Sequence, residues 1–255
     1  MRFCSLGSGS DGNALLVGSD STGYLLLDCG LSLREFDRRL AVRGLQPGAL
    51  RGVLVTHEHG DHLGSAAQLA QRERITLYTS RGTQRAARGT IDPALYVEVD
   101  DGVPFEAAGL EITPFSVPHD AAEPLQFTFR SGHAKLGVLT DLGHVTPYVT
   151  HALQGCDGLV LECNHDAQLL ADGPYPPALK RRIGGGWGHL PNHVAAQLLA
   201  SVAHDTLHHV IAAHLSKQNN RPELAQRALA QVLGCADDDV QVAAAAGGFD
   251  WRDLR

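Results

Sequence analysis

Short apolar runs recur from one end of the chain to the other, and they restrict the possible folds more than any other feature of the sequence. Runs rich in Val, Leu, Ile and Phe are typical of β-strands. None approaches the roughly 18 apolar residues that a membrane-spanning helix needs, so we expect no membrane contact. The predicted strands are Ala14–Val17, Tyr24–Leu27, Val53–Val55, Leu77–Tyr78, Tyr96–Val99, Leu110–Phe115, Leu125–Phe129, Leu136–Leu139, Leu159–Leu161 and Val210–Ala212.

Helix signals between these runs predict an α/β protein. Ser32 and Glu35 fit a capping box, and Gly44 can end the helix that follows. Pro191 and Pro222 are expected at the start of two later helices, in which apolar residues recur every four positions. Early strands follow one another closely whereas later strands alternate with helices, which predicts mixed sheets with helices outside. Because no repeat or polar linker divides the chain, residues 1–255 are expected to form one domain.

Composition excludes several functional classes. With 44% apolar and 19% charged residues, the chain can bury a core and is not a disordered protein. The formal net charge of −7 argues against a globally basic nucleic-acid-binding surface, but it permits a local one around a bound metal. Five cysteines without a C-x-x-C pair, and no apolar stretch after Met1–Cys4, predict a cytoplasmic location. Histidine is abundant, at 14 residues, which makes metal chemistry the first hypothesis.

A dense group of ligand-type side chains follows the third predicted strand, in the sequence THEHGDH at residues 56–62. The end of the strand and the turn after it would aim His57 and His59 to one side. A helix starting at the glycine would bring Asp61 and His62 round in its first turn. Imidazole and carboxylate groups without cysteine suit zinc, manganese or iron in a catalytic site. Solvated loop histidines are the alternative interpretation.

Three further ligand-type residues stand at the ends of later predicted strands: His119, Asp141 and His214. Proteins of the α/β class collect their ligands at strand ends. Each residue alone is more typical of a structural, hydrogen-bonded side chain. Together and in this order, they predict that folding completes a metal site around the first group.

This ordered pattern, H-x-H-x-D-H followed by His, Asp and His, resembles the metal-ligand motifs of the metallo-β-lactamase fold hydrolases. The resemblance implies a four-layer αββα sandwich, with two mixed sheets, helices outside and two divalent ions at one edge of the sheets. It implies that His57, His59 and His119 hold the first ion, that Asp61, His62 and His214 hold the second, and that Asp141 bridges them together with a water or hydroxide. Asp28 resembles the family's first motif, an Asp that supports the ligands from behind.

Four further stretches resemble the YycJ/WalJ-like, exonuclease-like branch, which is similar to the transfer-RNA 3′-processing endonucleases. They are SLGSGS at 5–10, ECNHD at 162–166, GHLPN at 188–192 and AHLSKQNN at 213–220. Pro191 departs from the pattern, because related sequences carry a hydroxyl residue there. Asp141 stands where the best-known dinuclear β-lactamases have Cys, which favours phosphodiester or thioester hydrolysis over lactam opening.

The resemblance implies a metal-dependent phosphodiesterase that acts on DNA or RNA, with a metal-bound hydroxide as nucleophile. Asp61 would orient or deprotonate the water. His189 would contact the scissile phosphate or protonate the leaving oxygen, with a purely helix-capping role as the alternative. Ser216, Lys217 and Asn219 are candidates for phosphate binding, although Lys217 fits a solvated surface lysine equally well.

The sequence leaves other functions open. A small cyclic phosphodiester or a thioester is an alternative substrate that the negative net charge favours, and a non-enzymatic metal-binding interaction module is a further alternative. No motif identifies the ions, the nucleic acid, the cleavage polarity or the oligomeric state. The basic triplet Lys180–Arg182 fits a backbone-binding strip or a solvated helix face, and GGGW at 184–187 fits a mobile lid or a base-stacking platform. The sequence does not identify the role of His165 or Asp166.

Overall fold

Fourteen strands form two sheets of seven strands each in the computed structural model, which describes residues 1–255. The first sheet consists of β1 (Arg2–Gly7), β2 (Ala14–Ser19), β3 (Gly23–Leu27), β4 (Leu50–Leu54), β5 (Thr76–Thr79), β6 (Tyr96–Glu98) and β14 (Phe249–Asp253). Its spatial order is β14-β1-β2-β3-β4-β5-β6. Neighbours from β14 to β3 pair antiparallel, and neighbours from β3 to β6 pair parallel.

The second sheet repeats this arrangement. It consists of β7 (Phe105–Ala107), β8 (Leu110–Ser116), β9 (Leu125–Ser131), β10 (Ala134–Leu139), β11 (Gly158–Glu162), β12 (His209–Ala213) and β13 (Gln241–Val242). Its spatial order is β13-β12-β11-β10-β9-β8-β7. Neighbours from β7 to β10 pair antiparallel and neighbours from β10 to β13 pair parallel, so both sheets are mixed as predicted.

Eight α-helices connect the strands and cover the sheets. They are α1 (Leu33–Val42), α2 (Ala66–Glu73), α3 (Arg81–Ala86), α4 (Pro147–Leu153), α5 (Ala167–Asp172), α6 (Pro177–Ile183), α7 (Asn192–Val202) and α8 (Pro222–Leu233). The Ser32 Oγ atom accepts from the Glu35 N–H at 3.3 Å, so α1 begins with the predicted cap. None of the helices combines the length and the apolar character that crossing a membrane requires.

Alternation of side chains along the strands separates three apolar layers. In β2, Leu15 and Val17 join a core cluster between the two sheets, whereas Leu16 packs with Phe36 and Leu40 of α1 on the outer face. A third cluster lies between the second sheet and the helices α4, α7 and α8. Successive side chains of a strand point to opposite faces, so each sheet is apolar on both sides. The layer order α, β, β, α confirms the predicted four-layer sandwich.

All ten predicted runs lie in or overlap strands, but β1, β7, β13 and β14 were not predicted. The strands β7 and β13 are only three and two residues long. The sequences of β1 and β14, RFCSLG and FDWRD, lack a continuous apolar run. These four segments become strands because a neighbouring strand supplies their hydrogen bonds, which is a tertiary effect that local patterns do not record.

Three strands deliver ligand-type side chains to one edge of the sandwich. His57 follows β4, Asp141 follows β10 and His214 follows β12. The carboxyl ends of parallel strands open at the same edge of a sheet, where α/β proteins place their sites. The parallel halves of the two sheets therefore bring together residues that are up to 157 positions apart, from His57 to His214.

The segment after β4 differs from the prediction. The helix α2 begins only at Ala66, so Asp61 and His62 lie in a turn and not in the first turn of a helix. The Asp61 carbonyl accepts from the backbone N–H of Asn13, and the His62 carbonyl accepts from that of Cys29, both at 2.8 Å. Carbonyls in a helix would accept from residues four positions later. Neighbouring loops take these acceptors instead and hold the turn in place.

Candidate metal centre

Two groups of three ligand-type side chains lie next to each other at this edge. Within each group the ligand atoms lie within 4.8 Å of one another. The first group comprises His57, His59 and His119, and the second comprises Asp61, His62 and His214. The ring centroids of His57 and His62 are 4.2 Å apart, so the two groups adjoin. Folding brings together the same two sets of residues that the resemblance assigned to two ions.

Asp141 lies between the two groups and is buried. Its Oδ1 atom is 3.7 Å from Nε2 of His119, and its Oδ2 atom is 3.1 Å from Nε2 of His62. Each carboxylate oxygen therefore faces a histidine of a different group. This is the position that a bridging ligand requires.

Unpartnered polar atoms indicate that the two groups fit metal ions. Nε2 of His119 is buried and makes no hydrogen bond, and the only close partner of the buried Asp141 Oδ2 atom is Nε2 of His62 at 3.1 Å. A buried polar atom without a partner costs roughly 1–3 kcal/mol, and a cation between such atoms removes the cost. Neutral imidazole nitrogens and carboxylate oxygens are ligands of zinc, manganese and iron. The residues present therefore fit two divalent ions.

The electrostatic environment differs between the two groups. Burial and the neighbouring His62 hold the pKa of His57 well below its ordinary value, so His57 has the neutral form that binds metals. Burial also disfavours charge on His62, but Asp141 and Asp28 outweigh it and hold its pKa well above the ordinary value. In the same way Asp141 outweighs burial at His214 and raises its pKa to about 10. The buried carboxylates thus attract positive charge, which divalent ions supply as well as protons.

Asp28 orients a ligand of the second group. Its Oδ2 atom lies 2.8 Å from Nδ1 of His62, and its Oδ1 atom accepts from the Thr56 N–H at 2.8 Å. With Nδ1 held by a carboxylate, Nε2 of His62 points toward Asp141 and Asp61. Such contacts fix the orientation of a ligand ring and raise its basicity. Asp28 therefore lies where its expected supporting role requires.

Backbone and hydroxyl oxygens orient the first group. Nδ1 of His119 donates to the Gly188 carbonyl at 2.9 Å, which leaves Nε2 free for an ion. Nδ1 of His57 lies 3.0 Å from the Thr56 hydroxyl oxygen. Since the partner of one ring nitrogen determines the role of the other, both rings present a nitrogen to the same space.

Glu162 is a member of the site that sequence reasoning missed. It ends β11, is fully buried, and its Oε1 atom lies 2.8 Å from Nδ1 of His189 and 3.2 Å from Nδ1 of His214. Its Oε2 atom accepts from the N–H groups of Leu142 and Leu190. Burial opposes its charge, but His189 outweighs burial and lowers its pKa. The available signal was its place at the end of an apolar run, the criterion that found Asp141.

His189 lies beside both groups. Its ring centroid is 5.1 Å from that of His119 and 5.3 Å from that of His214. Burial disfavours its charged form, but Glu162 outweighs burial and raises its pKa. Its Nε2 atom makes no hydrogen bond within the protein, and the side chain lines the cavity described next. A protonated imidazole in this position can donate to an anion.

A cavity of about 320 Å³ opens over the two groups. Its lining includes His59, Asp61, Asp120, Arg182, His189 and His214. Burial opposes ionisation of Asp61, but its contact with His214, at 3.5 Å, outweighs burial and lowers the pKa. Asp61 is therefore an ionised carboxylate with access to the cavity, where it can accept a proton or orient water.

The three candidates for phosphate binding do not line this cavity. Ser216 and Lys217 line a neighbouring cavity of about 350 Å³. Lys217 pairs with Asp11, and the Ser216 hydroxyl accepts from the Asn219 N–H at 3.2 Å. Asn219 is fully buried, and its Oδ1 atom has no partner. Phosphate binding by these residues stays a prediction.

Three other residues singled out in the sequence occupy separate positions. In the triplet Lys180–Arg182, Arg182 reaches the cavity, and its Nε atom donates to Asp120 at 2.6 Å. Asp166 caps α5, since its carboxylate accepts from two N–H groups at the start of that helix. His165 is buried, and burial lowers its pKa to about 4.

Comparison with known proteins gives a family match and relatives that match over most of their length. Residues 24–214 match the family described as "Beta-lactamase superfamily domain". The chain is 37% identical to exodeoxyribonuclease YycJ of Bacillus anthracis over 238 residues, which cover 91% of this chain and 89% of the relative. It is 32% identical to exodeoxyribonuclease WalJ of Streptococcus pneumoniae over 246 residues, which cover 94% and 91%.

A similarity to solved structures extends over the whole fold. The structure superposes on Zn²⁺-bound PqqB from Methylobacterium extorquens with a TM-score of 0.75 and 19% sequence identity. The superposition covers 100% of both chains. This likeness shows a shared fold from the first strand to the last.

Proposed function

We propose that this chain, which belongs to the family described as "Beta-lactamase superfamily domain", is an exonuclease that hydrolyses phosphodiester bonds in DNA. It is a metal-dependent hydrolase, and the resemblance inferred from its sequence is confirmed. The single observation that carries the proposal is the pair of adjoining ligand groups with Asp141 between them. The names of the relatives YycJ and WalJ support DNA as the substrate.

In this proposal His57, His59 and His119 hold one divalent ion, Asp61, His62 and His214 hold the other, and Asp141 bridges them. Two such ions would supply a water of lowered pKa and neutralise the charge of the phosphate. Nitrogen and oxygen ligands accept zinc, manganese or iron, and metal availability decides among them. Asp28 supports the second set through His62.

The chain's own residues perform the proton transfers. Asp61 orients the attacking water or accepts its proton, since it is ionised and faces the cavity. His189, held by Glu162 at 2.8 Å, donates to the scissile phosphate or protonates the leaving oxygen. Glu162 raises the pKa of His189 and so favours the protonated form that this transfer requires.

We also infer that residues 1–255 act as one hydrolase domain. Ligand-type residues come from loops of both sheets, and β14 returns from the second half to pair with β1. Neither sheet alone supplies all the residues of either ligand group. A DNA substrate agrees with the cytoplasmic location expected from the sequence.

The test is incubation of the parent, Asp61→Ala and Asp100→Ala proteins with labelled single-stranded and double-stranded DNA and RNA. Each assay contains added zinc, manganese or iron, and bis-p-nitrophenyl phosphate serves as a small diester. Asp100 is an exposed carboxylate outside the cavity and makes no side-chain hydrogen bond, so its variant is the matched control. We expect stepwise shortening of DNA by the parent and the control, and a loss of at least about 100-fold in Asp61→Ala.

Other outcomes would select a different function. Equal cleavage by parent and Asp61→Ala contradicts the mechanism. Turnover of the small diester without any nucleic-acid cleavage points to a small phosphodiester, such as a cyclic one, as the substrate. Well under one ion per chain after purification points to an interaction module.

A further inference from the structure

We propose that the segment 182–187 forms a nucleotide clamp, which binds an unpaired nucleotide of a DNA end beside the metal centre. In this clamp Arg182 contacts a backbone phosphate and Trp187 stacks on the base. The inference rests on the proposed exonuclease function and names the form of DNA that the site prefers.

Trp187 is a large aromatic side chain without a place in the core. It is 63% exposed, and its nearest aromatic neighbour, His144, meets it edge-on at 6.5 Å between ring centroids. The other tryptophan, Trp251, is partly buried. Its ring centroid lies 5.1 Å from that of Tyr24, and its Nε1–H donates to the Arg43 carbonyl. The next two residues along the chain, Gly188 and His189, line the cavity, and an exposed ring this close to them offers a base a stacking surface.

The backbone around Trp187 is held firmly. The Gly186 carbonyl accepts from Nδ1 of His144 at 2.7 Å, and the His189 N–H donates to the Ile183 carbonyl at 2.8 Å. A side chain on Gly143 would overlap the carbonyl of Gly186, so the two backbones are in close contact. A ring presented by a fixed backbone loses little conformational entropy when a ligand binds.

The residue that follows this segment, Gly188, contacts the first ligand group. The Gly188 carbonyl accepts from Nδ1 of His119, a residue assigned to the first ion. A side chain on Gly188 would overlap the carbonyl of Arg182, which shows that the two residues are in backbone contact. Trp187 thus lies between a residue that orients a ligand and the end of α6.

Arg182 supplies a positive charge at the same place. Its guanidinium donates to Asp120, whose other oxygen lies 3.5 Å from Nε2 of His119 and 3.8 Å from Nε2 of His59. The Arg182 side chain is 62% exposed, and an exposed ion pair of this kind is weak. A phosphate oxygen can therefore replace or share the Asp120 contact, and guanidinium binds phosphate with two parallel hydrogen bonds.

This combination selects an unpaired nucleotide. A base inside a duplex is stacked on both faces and cannot lie on Trp187, whereas the base of a single strand or a frayed end can. The neighbouring Arg181 is exposed, does not line the cavity and makes no side-chain hydrogen bond, so it provides a matched control for Arg182.

The test uses tryptophan fluorescence and a phosphorothioate single-stranded oligodeoxynucleotide, which resists cleavage by the metal-loaded protein. In Trp251→Phe only Trp187 emits, and we expect saturable quenching as the oligonucleotide is added. In Trp187→Ala only Trp251 emits, and we expect no quenching. Anisotropy of a labelled oligonucleotide then gives the affinity. We expect a loss of about 5- to 100-fold in Trp187→Ala and near-parent affinity in Trp187→Phe, which keeps a stacking face.

Salt dependence tests Arg182. We expect Arg182→Ala to lower the slope of log Kd against log salt by about 0.7, the value for one phosphate contact of a single strand. Arg181→Ala should keep the slope of the parent. A blunt duplex should bind the parent more weakly than the single strand and should not quench Trp187.

Equal affinity of Trp187→Ala and the parent, or equal quenching by single strand and duplex, overturns the clamp. If the parent still cleaves DNA in that case, the exonuclease proposal stands and only the clamp is wrong. If the parent neither binds nor cleaves DNA, both are wrong. Thermal melting of each variant shows whether it is folded.

Discussion

Asp28 and His214 share a backbone conformation that few residues other than glycine adopt. Their φ angles are +60° and +56°, in the left-handed region. Tertiary hydrogen bonds hold both: the Asp28 N–H donates to the Leu54 carbonyl, and the His214 N–H donates to the Ser8 hydroxyl, each at 2.8 Å. Strain of about 1–3 kcal/mol per residue persists where the surroundings impose it, and it is concentrated at functional sites. At both positions the strained backbone lowers stability but directs the side chain toward the metal centre.

At the same scale, Glu162→Gln tests the buried carboxylate beside His189 and His214. An amide of equal size cannot supply the negative charge that orients both rings, so we expect metal affinity or kcat to fall by about 10- to 100-fold. The measurement is ions per chain after dialysis together with kcat. Glu106→Gln, at an exposed carboxylate without a hydrogen bond, is the control. Parent values in both measurements for Glu162→Gln would contradict a role in positioning.

The sequence identified the ligand-type residues but could not identify Glu162 as their partner. The spacing of residues 57–62 is local, and the ends of apolar runs located His119, Asp141 and His214. Glu162 meets its partners only when His189 and His214, which lie 27 and 52 positions later in the chain, fold against the end of β11. Local patterns contain no trace of such pairings.

Loops and turns, more than strands, determine the geometry of the site. The sequence predicted the strands that lead to the site, because strand patterns are read from local alternation. The turn after β4 was wrongly predicted as the first turn of a helix. Its carbonyls accept hydrogen bonds from neighbouring loops, and the local pattern does not show these bonds. Pro191 is the N-cap of α7 without a side-chain cap, so the predicted helix forms although the hydroxyl is missing. Strands were thus predictable from the sequence, and the connections that aim the ligands were not.

Gly188→Ala tests the connection between α6 and α7. The added methyl group would overlap the carbonyls of Arg182 and Ile183, so the backbone must shift and carry the acceptor of His119 with it. We expect a loss of about 1–3 kcal/mol in the free energy of unfolding and weaker metal binding. At Gly186 a methyl group would find only ordinary contact with His144, so Gly186→Ala is the control. Equal metal content and stability in the two variants would disprove this account.

The helix α1 provides a test of pH dependence. Hydrogen bonds from Arg38 and Arg39 lower the pKa of Glu35 to about 2, from an ordinary value of 4.5. The stabilisation by this carboxylate is therefore complete above pH 4.5 and is lost as the pH falls toward 2. We expect Glu35→Gln to lower the urea midpoint at pH 7 and the difference from the parent to shrink below pH 4.5. A difference that stays constant down to pH 3 would rule out this ion pair as its cause.

In the molecule as a whole, each half supplies part of the metal centre. The loop after β4 in the first sheet carries His57 and Asp61, and the second sheet carries His119, Asp141 and His214. Ions bound there would join the two sheets through direct bonds. The overall architecture was predictable because the resemblance covers most of the chain, whereas the pairing of β14 with β1 was not, since it joins the most distant segments.

Metal removal tests whether bound ions help to hold the two sheets together. Ligands that bind only the folded state stabilise it, by about 2.7 kcal/mol at a concentration 100 times Kd. We expect chelation to lower the Tm by roughly 5 to 10 °C. The double variant His57→Ala/His214→Ala, which lacks a ligand from each group, should show no such shift. An unchanged Tm of the parent, with the ions shown to be gone, would mean that the sheets hold together without them.

The pairing of β14 with β1 has a consequence for synthesis on the ribosome. Residues 2–7 are made long before residues 249–253, so one edge of β1 stays open until β14 emerges and the Leu254 N–H reaches the Met1 carbonyl at 2.8 Å. While the residues between these two strands are synthesised, the nascent chain exposes an unpaired strand edge of the kind that invites association between chains. The first sheet closes only after β14 has been made, and a nascent chain stalled before β14 would be a target for chaperones.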